Sequence, residues 1–207
     1  MRSTISVLKD FEFDGVKYLE LRTTPRDIPS SGINKDTYVI TVLECLKEFN
    51  EHEDTQLHSK LILSIDRRMS DIEADEIVNL AIRYSHDGVV GVDLCGDPSK
   101  GDVRTFTKAF GKAKSAGLKL AIHFAEAPTS STDDELLTIL TWNPDRLGHA
   151  IHVKDEIKKE IVEKNIGVEL CLSCNVHAKM ITGSYSDHHF GWWKNSGVGV
   201  ALSVRDL

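Results

Sequence analysis

The most chemically suggestive spacing in the chain is Leu120-Ala121-Ile122-His123-Phe124-Ala125-Glu126. An apolar run delivers a histidine and, three residues later, a glutamate. Neutral imidazole is a good zinc ligand, and a carboxylate beside it can shuttle protons for a metal-activated water. A strand-end histidine next to a solvated glutamate is the plainer alternative, because H-x-x-E alone is a weak signal. The second segment is Asp145-Arg146-Leu147-Gly148-His149-Ala150-Ile151-His152, where His149 follows a glycine on the next apolar run. By itself it reads slightly better as a core histidine bonded to a carbonyl, but two histidines on successive strand ends strengthen each other. The third is Gly91-Val92-Asp93-Leu94-Cys95-Gly96-Asp97-Pro98, where Gly96 would let a backbone group approach a flat ligand. A simple turn into the next helix explains Gly96 equally well. Cys171-Leu172-Ser173-Cys174 offers C-x-x-C without a second pair at zinc spacing, so it is not read as a metal or redox site.

These residues need elements to hold them. Short runs rich in Val, Ile and Leu predict strands at Val16–Thr23, Lys60–Asp66, Val89–Gly96, Leu118–Glu126, Arg146–Val153, Gly167–Asn175 and Val198–Val204. Helical spacing predicts helices over Asp36–Glu51, Ser70–Ser85, Asp102–Ala116 and Lys154–Lys164, and Thr132-Asp133-Asp134-Glu135 reads as a capping box opening another through Leu140. Strands alternating with helices imply parallel pairing. No glycine-rich phosphate fingerprint follows the first strand, and polar residues gather at the C-terminal ends of several strands, which favours a barrel over an open sheet. Seven strands are visible where a closed barrel of this kind has eight. A phosphate-binding aldolase- or lyase-type barrel would call for a catalytic lysine near a strand end, and none stands out.

The chain has 207 residues, 41% of them hydrophobic and 28% charged, as in an ordinary soluble globular domain. Its net charge of −7 argues against a nucleic-acid or membrane surface, though a few local cations could still hold one phosphate. Four scattered cysteines and no apolar membrane span lead to the expectation of a reducing, cytoplasmic setting.

In order and spacing, the three segments resemble the adenosine deaminase family, in its branch that acts on N6-methyl-AMP. Asp14 through Arg26, Ser64-Ile65-Asp66-Arg67-Arg68, Glu169 through Ser173 with Asn175-Val176, and His188-His189-Phe190-Gly191 carry the resemblance over nearly the whole chain. It implies a (β/α)8 TIM-type barrel of the metal-dependent hydrolase superfamily, holding one zinc ion and deaminating an N6-substituted purine nucleotide, or adenosine. Under it His123 corresponds to a metal ligand, Glu126 to the acid that protonates the purine ring, and His149 to the residue that orients and helps deprotonate the attacking water. Gly96 and Asp66 correspond to substrate contacts, as do Thr23, Thr24, Pro25 and Arg26, the last suited to a phosphate. The implied partner is a small purine nucleotide or nucleoside, and the complete enzyme is expected to be a monomer.

The sequence also departs from that pattern. The family's first strand ends in H-x-H, and no H-x-H occurs here; Met1 to Asp14 already resembles the helix leading into the second strand. The family's eighth strand ends in T-D-D, whereas this chain reads Ser203-Val204-Arg205-Asp206. The expectation is one incomplete barrel over residues 1–207, strands two to eight, with the first strand missing and the eighth cut short. The alternative to an active enzyme is then an inactive truncated product lacking most zinc ligands.

Overall fold

The computed structural model describes residues 2–203, so the expectations that fall on Val204, Arg205 and Asp206 lie outside the described residues. Helix α1 (Arg2–Phe13) leads into β1 (Tyr18–Thr23), followed by α2 (Lys35–Asn50), β2 (His58–Asp66), α3 (Asp71–Arg83), β3 (Val89–Cys95) and α4 (Thr107–Ser115). Then come β4 (Lys119–Phe124), α5 (Asp133–Thr141), β5 (Arg146–His149), α6 (Asp155–Glu163), β6 (Gly167–Leu170), two short helices α7 (Leu172–His177) and α8 (Phe190–Trp193), and β7 (Val200–Leu202). All seven strands form one sheet in the order of the sequence, every pair parallel.

The sheet curls. In a flat sheet β1 and β6 would lie about 24 Å apart at roughly 4.8 Å per strand. Instead Arg22 of β1 reaches Glu169 of β6, and Glu20 of β1 reaches Arg146 of β5, across the concave side. This is the expected TIM-type arrangement in partial form, with β1 and β7 each paired on one side among the described residues.

Apolar side chains from both faces of the central strands explain why the runs lacked alternation: Leu61, Ile62, Leu63 and Ile65 of β2 are all buried. Helix ends follow local chemistry. Ser70 and Glu73 make a reciprocal capping box at α3, and Asn34 caps α2 through the Thr37 N–H. The box expected at Thr132 is half made. Thr132 accepts from the Glu135 N–H, but the Glu135 carboxylate turns instead to the buried Arg67, at 2.6 Å. A buried guanidinium has more to gain from that carboxylate than a solvated helix end does.

The fourth, fifth and sixth strands stop short of their expected ends, each beside a site residue. Helical α7 replaces the end of the sixth strand, so Asn175 sits on a helix rather than on a strand end. The fourth breaks at Ala125 (φ 49°), and the fifth ends at His149 (φ 64°) followed by Ala150 (φ 47°). Left-handed backbone at non-glycine residues costs of order 1–3 kcal/mol each and persists only where the surroundings enforce it. Here they do. The Ala150 N–H donates to the Phe124 carbonyl at 3.0 Å, His189 Nε2 donates to the His149 carbonyl at 2.6 Å, and Trp193 Nε1 donates to the Ala150 carbonyl at 3.3 Å.

Candidate active site

The breaks at Ala125 and His149 turn three side chains toward one another at the C-terminal end of the sheet. The His123 and His149 rings are 5.4 Å apart between centroids, and His149 Nε2 lies 3.5 Å from Glu126 Oε1. The residues singled out from the two strongest motifs are thus brought together. His123 and His149 line a cavity of about 650 Å³, within the usual range of roughly 300–1,000 Å³ for small-molecule sites.

His123 is held from behind. Its Nδ1 lies 2.9 Å from Asp93 Oδ1, and Asp93 Oδ2 accepts from the Ser64 hydroxyl at 3.2 Å. Burial pushes the Asp93 carboxyl up, but His123, then Arg22 and Ser64, hold it below the usual carboxylate range. An ionised carboxylate only accepts, so Nδ1 carries the proton, and in the neutral ring the free lone pair is on Nε2. Burial disfavours an imidazolium at His123 while Asp93 favours it, and the balance lies above the ordinary imidazole value. A carboxylate behind a histidine is the usual arrangement for fixing a metal-ligating ring. Asp93 received no role from the sequence, although a lone carboxylate in Gly91-Val92-Asp93-Leu94 is a signal in itself: such a strand tolerates a charge only where it is paired.

Asp93 also ends a ladder of alternating charge across the concave side of the sheet. Glu20 pairs with Arg146, Arg146 with Glu169 (3.2 Å from Nε), Glu169 with Arg22, and Arg22 with Asp93 (3.8 Å). Burial opposes the Arg22 charge, yet Asp93 and Glu169 raise its pKa further above the ordinary value.

The remaining expected contacts spread around the rim. Thr23 and Thr24 line the cavity; the Thr23 hydroxyl bonds Tyr38 at 2.8 Å, and that of Thr24 lies 3.7 Å from Cys95 Sγ. Burial, with Asp93 nearby, pushes the Cys95 thiol up to about 11, so it stays a neutral thiol. Pro25 is buried, while Arg26 is exposed and has no ion-pair partner among the described residues. Asp66 and Gly96 pack on each other outside the cavity lining. A Cβ at Gly96 (φ 103°) would meet Asp66 Oδ1 at 2.8 Å, and Arg68 already engages the Asp66 carboxylate at 2.6 and 2.8 Å. Gly96 is therefore required by its turn and its neighbour, whatever else it touches.

Behind His149 lies a polar cluster that the sequence showed only as two separate motifs, around Asn175 and around His188. Asn175 and His188 are buried, and His189 stacks on His188 with ring centroids 4.1 Å apart. Burial pushes the His189 imidazole down to about 4, against the upward pull of its bond to the His149 carbonyl; nearby His188, His149 and His152 push the same way as burial. Its Nδ1 is buried with no partner among the described residues. A depressed folded pKa means the unfolded chain takes up the proton first, so stability is lost as pH falls from about 6.5 towards 4. After discounting for partial exposure, the loss expected from His189 is about 1–2 kcal/mol. Urea midpoints at about pH 7 and pH 4.5 check this; His189→Gln, which keeps a donor for the carbonyl, is expected to shrink the difference between them.

Among the described residues no group of three or more His, Cys, Asp or Glu is placed to hold a metal ion. His123 presents a single ring nitrogen, and a catalytic zinc usually has three protein ligands. The described residues therefore do not by themselves fit a catalytic zinc.

Comparison with known proteins agrees with this geometry. A sequence model described as adenosine deaminase matches residues 1–206. N6-methyl-AMP deaminase-L of Xenopus laevis is 42% identical over 201 residues, covering 93% of this chain and 55% of the relative. N6-methyl-AMP deaminase of Homo sapiens is 38% identical over 199 residues, covering 92% and 55%. The crystal structure of Arabidopsis ADAL complexed with IMP superposes with a TM-score of 0.91 at 36% identity, covering 99% of this chain and 61% of that one. The chain thus spans a little over half the length of these relatives, and the match over residues 1–206, with the shared fold, makes it a member of the adenosine deaminase family.

Proposed function

We propose that this chain carries the acid–base half of a hydrolytic deaminase acting on an N6-substituted purine nucleotide, N6-methyl-AMP in the first instance, or on adenosine. The observation that supports it most is the convergence of His123, Glu126 and His149 on one strand mouth, with Asp93 behind the first ring and Asn175 behind the last. The names of the relatives and the IMP-bound neighbour point to the same substrate class. Residues 1–207 form one incomplete unit, the second to eighth strands of the barrel, and the complete enzyme works as a monomer in the cytoplasm; no helix among the described residues is long and apolar enough to cross a membrane.

In this reading the reaction is N6-methyl-AMP plus water giving IMP plus methylamine. Oxygen of water bonds to C6, Glu126 gives a proton to the adjacent ring nitrogen, and the proton shed by the water returns to Glu126. The C6–N6 bond then breaks, the amine leaves with a proton, and the carbonyl of the product forms. Protonating the ring relieves the charge that addition would place there. Zinc, implied by the family, would meet His123 Nε2 and activate the water, but the described residues do not complete its ligand set.

Arg26, exposed and without an ion-pair partner among the described residues, suits the phosphate. Arg26→Ala is expected to weaken the monophosphate by about 10–100-fold, the loss of one charge-assisted hydrogen bond, and to leave the nucleoside nearly unchanged. Equal losses on both would remove the case for a nucleotide substrate. A second reading, a non-catalytic product of the same family, rests on there being no metal-ligand cluster among the described residues. Methylamine or ammonia release by the purified chain supplied with zinc, together with its zinc content, separates the two. Amine release with one bound zinc supports the enzyme; neither, from a folded chain, supports the alternative.

A further inference from the structure

The buried cluster behind His149 decides which of its ring nitrogens carries the proton. The Asn175 amide lies between two imidazoles, with one end 3.0 Å from His149 Nδ1 and the other 3.0 Å from His188 Nε2. On the far side of His188, Nδ1 accepts the backbone N–H of Phe190 at 3.0 Å. A neutral imidazole has one N–H and one lone pair. Since Nδ1 of His188 uses its lone pair on Phe190, the His188 proton is on Nε2, and the Asn175 atom facing it has to be the oxygen. The opposite polarity, with Oδ1 toward His149 and Nδ2 toward His188, would need both His188 nitrogens to accept and so leave that ring anionic. A half-turn of the amide preserves both 3.0 Å separations and removes the conflict. A doubly protonated His188 does not rescue the other polarity, because its Nδ1–H would oppose the Phe190 N–H; burial also holds this imidazole below its ordinary value. With the amide turned, Nδ2–H donates to His149 Nδ1, and the His149 proton is on Nε2.

We propose that Phe190 N–H, His188 and Asn175 form a tautomer lock that keeps His149 protonated on Nε2, so that His149 serves the site as a hydrogen-bond donor and not as a base. This rests on the reading of His149 as the ring that faces the reacting oxygen. Its Nε2–H points to the side where Glu126 Oε1 lies 3.5 Å away. In this tautomer it can orient an oxygen by donation but has no lone pair on Nε2 to take the water's proton, which leaves that task to Glu126. The two histidines are then set in opposite senses: Asp93 fixes the proton of His123 on Nδ1, and Asn175 fixes that of His149 on Nε2. Asn175 and His188 are positioning residues acting through His149.

The test is a long-range proton–nitrogen correlation spectrum of the full chain labelled with ¹⁵N-histidine, with the His149 ring assigned through its own backbone. The expected pattern is an unprotonated Nδ1 and a protonated Nε2; a protonated Nδ1 in the unaltered chain overturns the proposal. Asn175→Asp replaces the donating amide with an acceptor, and is expected to draw a proton onto His149 Nδ1, reversing the pattern or leaving the ring doubly protonated. An unchanged His149 pattern in folded Asn175→Asp also overturns it, because that is what a merely space-filling Asn175 would give. The unaltered chain decides the matter even if the variant does not fold. No turnover enters the measurement, so its failure is distinct from failure of the deaminase reading, which amine release tests.

Discussion

In a complete barrel loaded with zinc, Glu126→Gln is expected to lower methylamine release from N6-methyl-AMP by about 10²–10⁴-fold while nucleotide binding and zinc content stay within about twofold. The amide keeps the size of the carboxyl but cannot carry a proton between water and ring. Glu126 is nearly enclosed, its side chain 12% exposed, so bulk water is poorly placed to substitute for it. Such a loss corresponds to about 3–5 kcal/mol of transition-state stabilisation. Steady-state kinetics on N6-methyl-AMP, beside a binding isotherm for IMP, separates the two effects. Retained turnover would mean that the proton passes through another group, with His149 the first candidate, and would count against the donor role of that ring.

Arg22→Met is expected to destabilise the fold by about 3 kcal/mol, the lower end of the range for removing one partner of a buried ion pair. Arg22 is the shared cation of Glu169 and Asp93, whose side chains are 9% and 1% exposed. Methionine fills much of the volume but leaves both carboxylates short of a positive neighbour. The loss stays at the lower end because Glu169 keeps Arg146, and Asp93 keeps His123 and Ser64. For a domain with a typical stability of about 5–15 kcal/mol this is a large fraction. Urea unfolding at about pH 7 measures it, and adding Glu169→Leu is expected to restore part of the loss by removing one stranded charge. A single variant within about 0.5 kcal/mol of the parent would show that the ladder is screened by water and carries little of the stability.

The strands and most helices were legible because each answers to a local rule. Leu61-Ile62-Leu63-Ser64-Ile65 is too continuously apolar for a surface element, and Ser70 with Glu73 writes a helix start in four residues. What sequence spacing hid was where strands stop. Nothing in Gly148-His149-Ala150-Ile151 announces two left-handed residues, because the groups enforcing them, His189 and Trp193, lie about forty positions further on. The same distance concealed the supports of the site. His123 and Glu126 could be picked out from one heptapeptide, but Asp93 is thirty residues upstream of its ring and Asn175 twenty-six residues downstream of its own. Asp66 and Gly96 were both singled out as ligand contacts; that each has the other as a structural neighbour emerges only from the pairing of β2 with β3.

The seven strands lie side by side in the order in which the chain is made. No strand has to slip between two that are already paired, so the sheet can grow from a single advancing edge, one strand and one helix at a time, as the polypeptide leaves the ribosome. Glu20 and Arg22 stand on β1, and their partners Arg146 and Glu169 arrive only with β5 and β6. Closure of the curve therefore joins strands made well apart in time, and until it happens those charges are hydrated rather than buried.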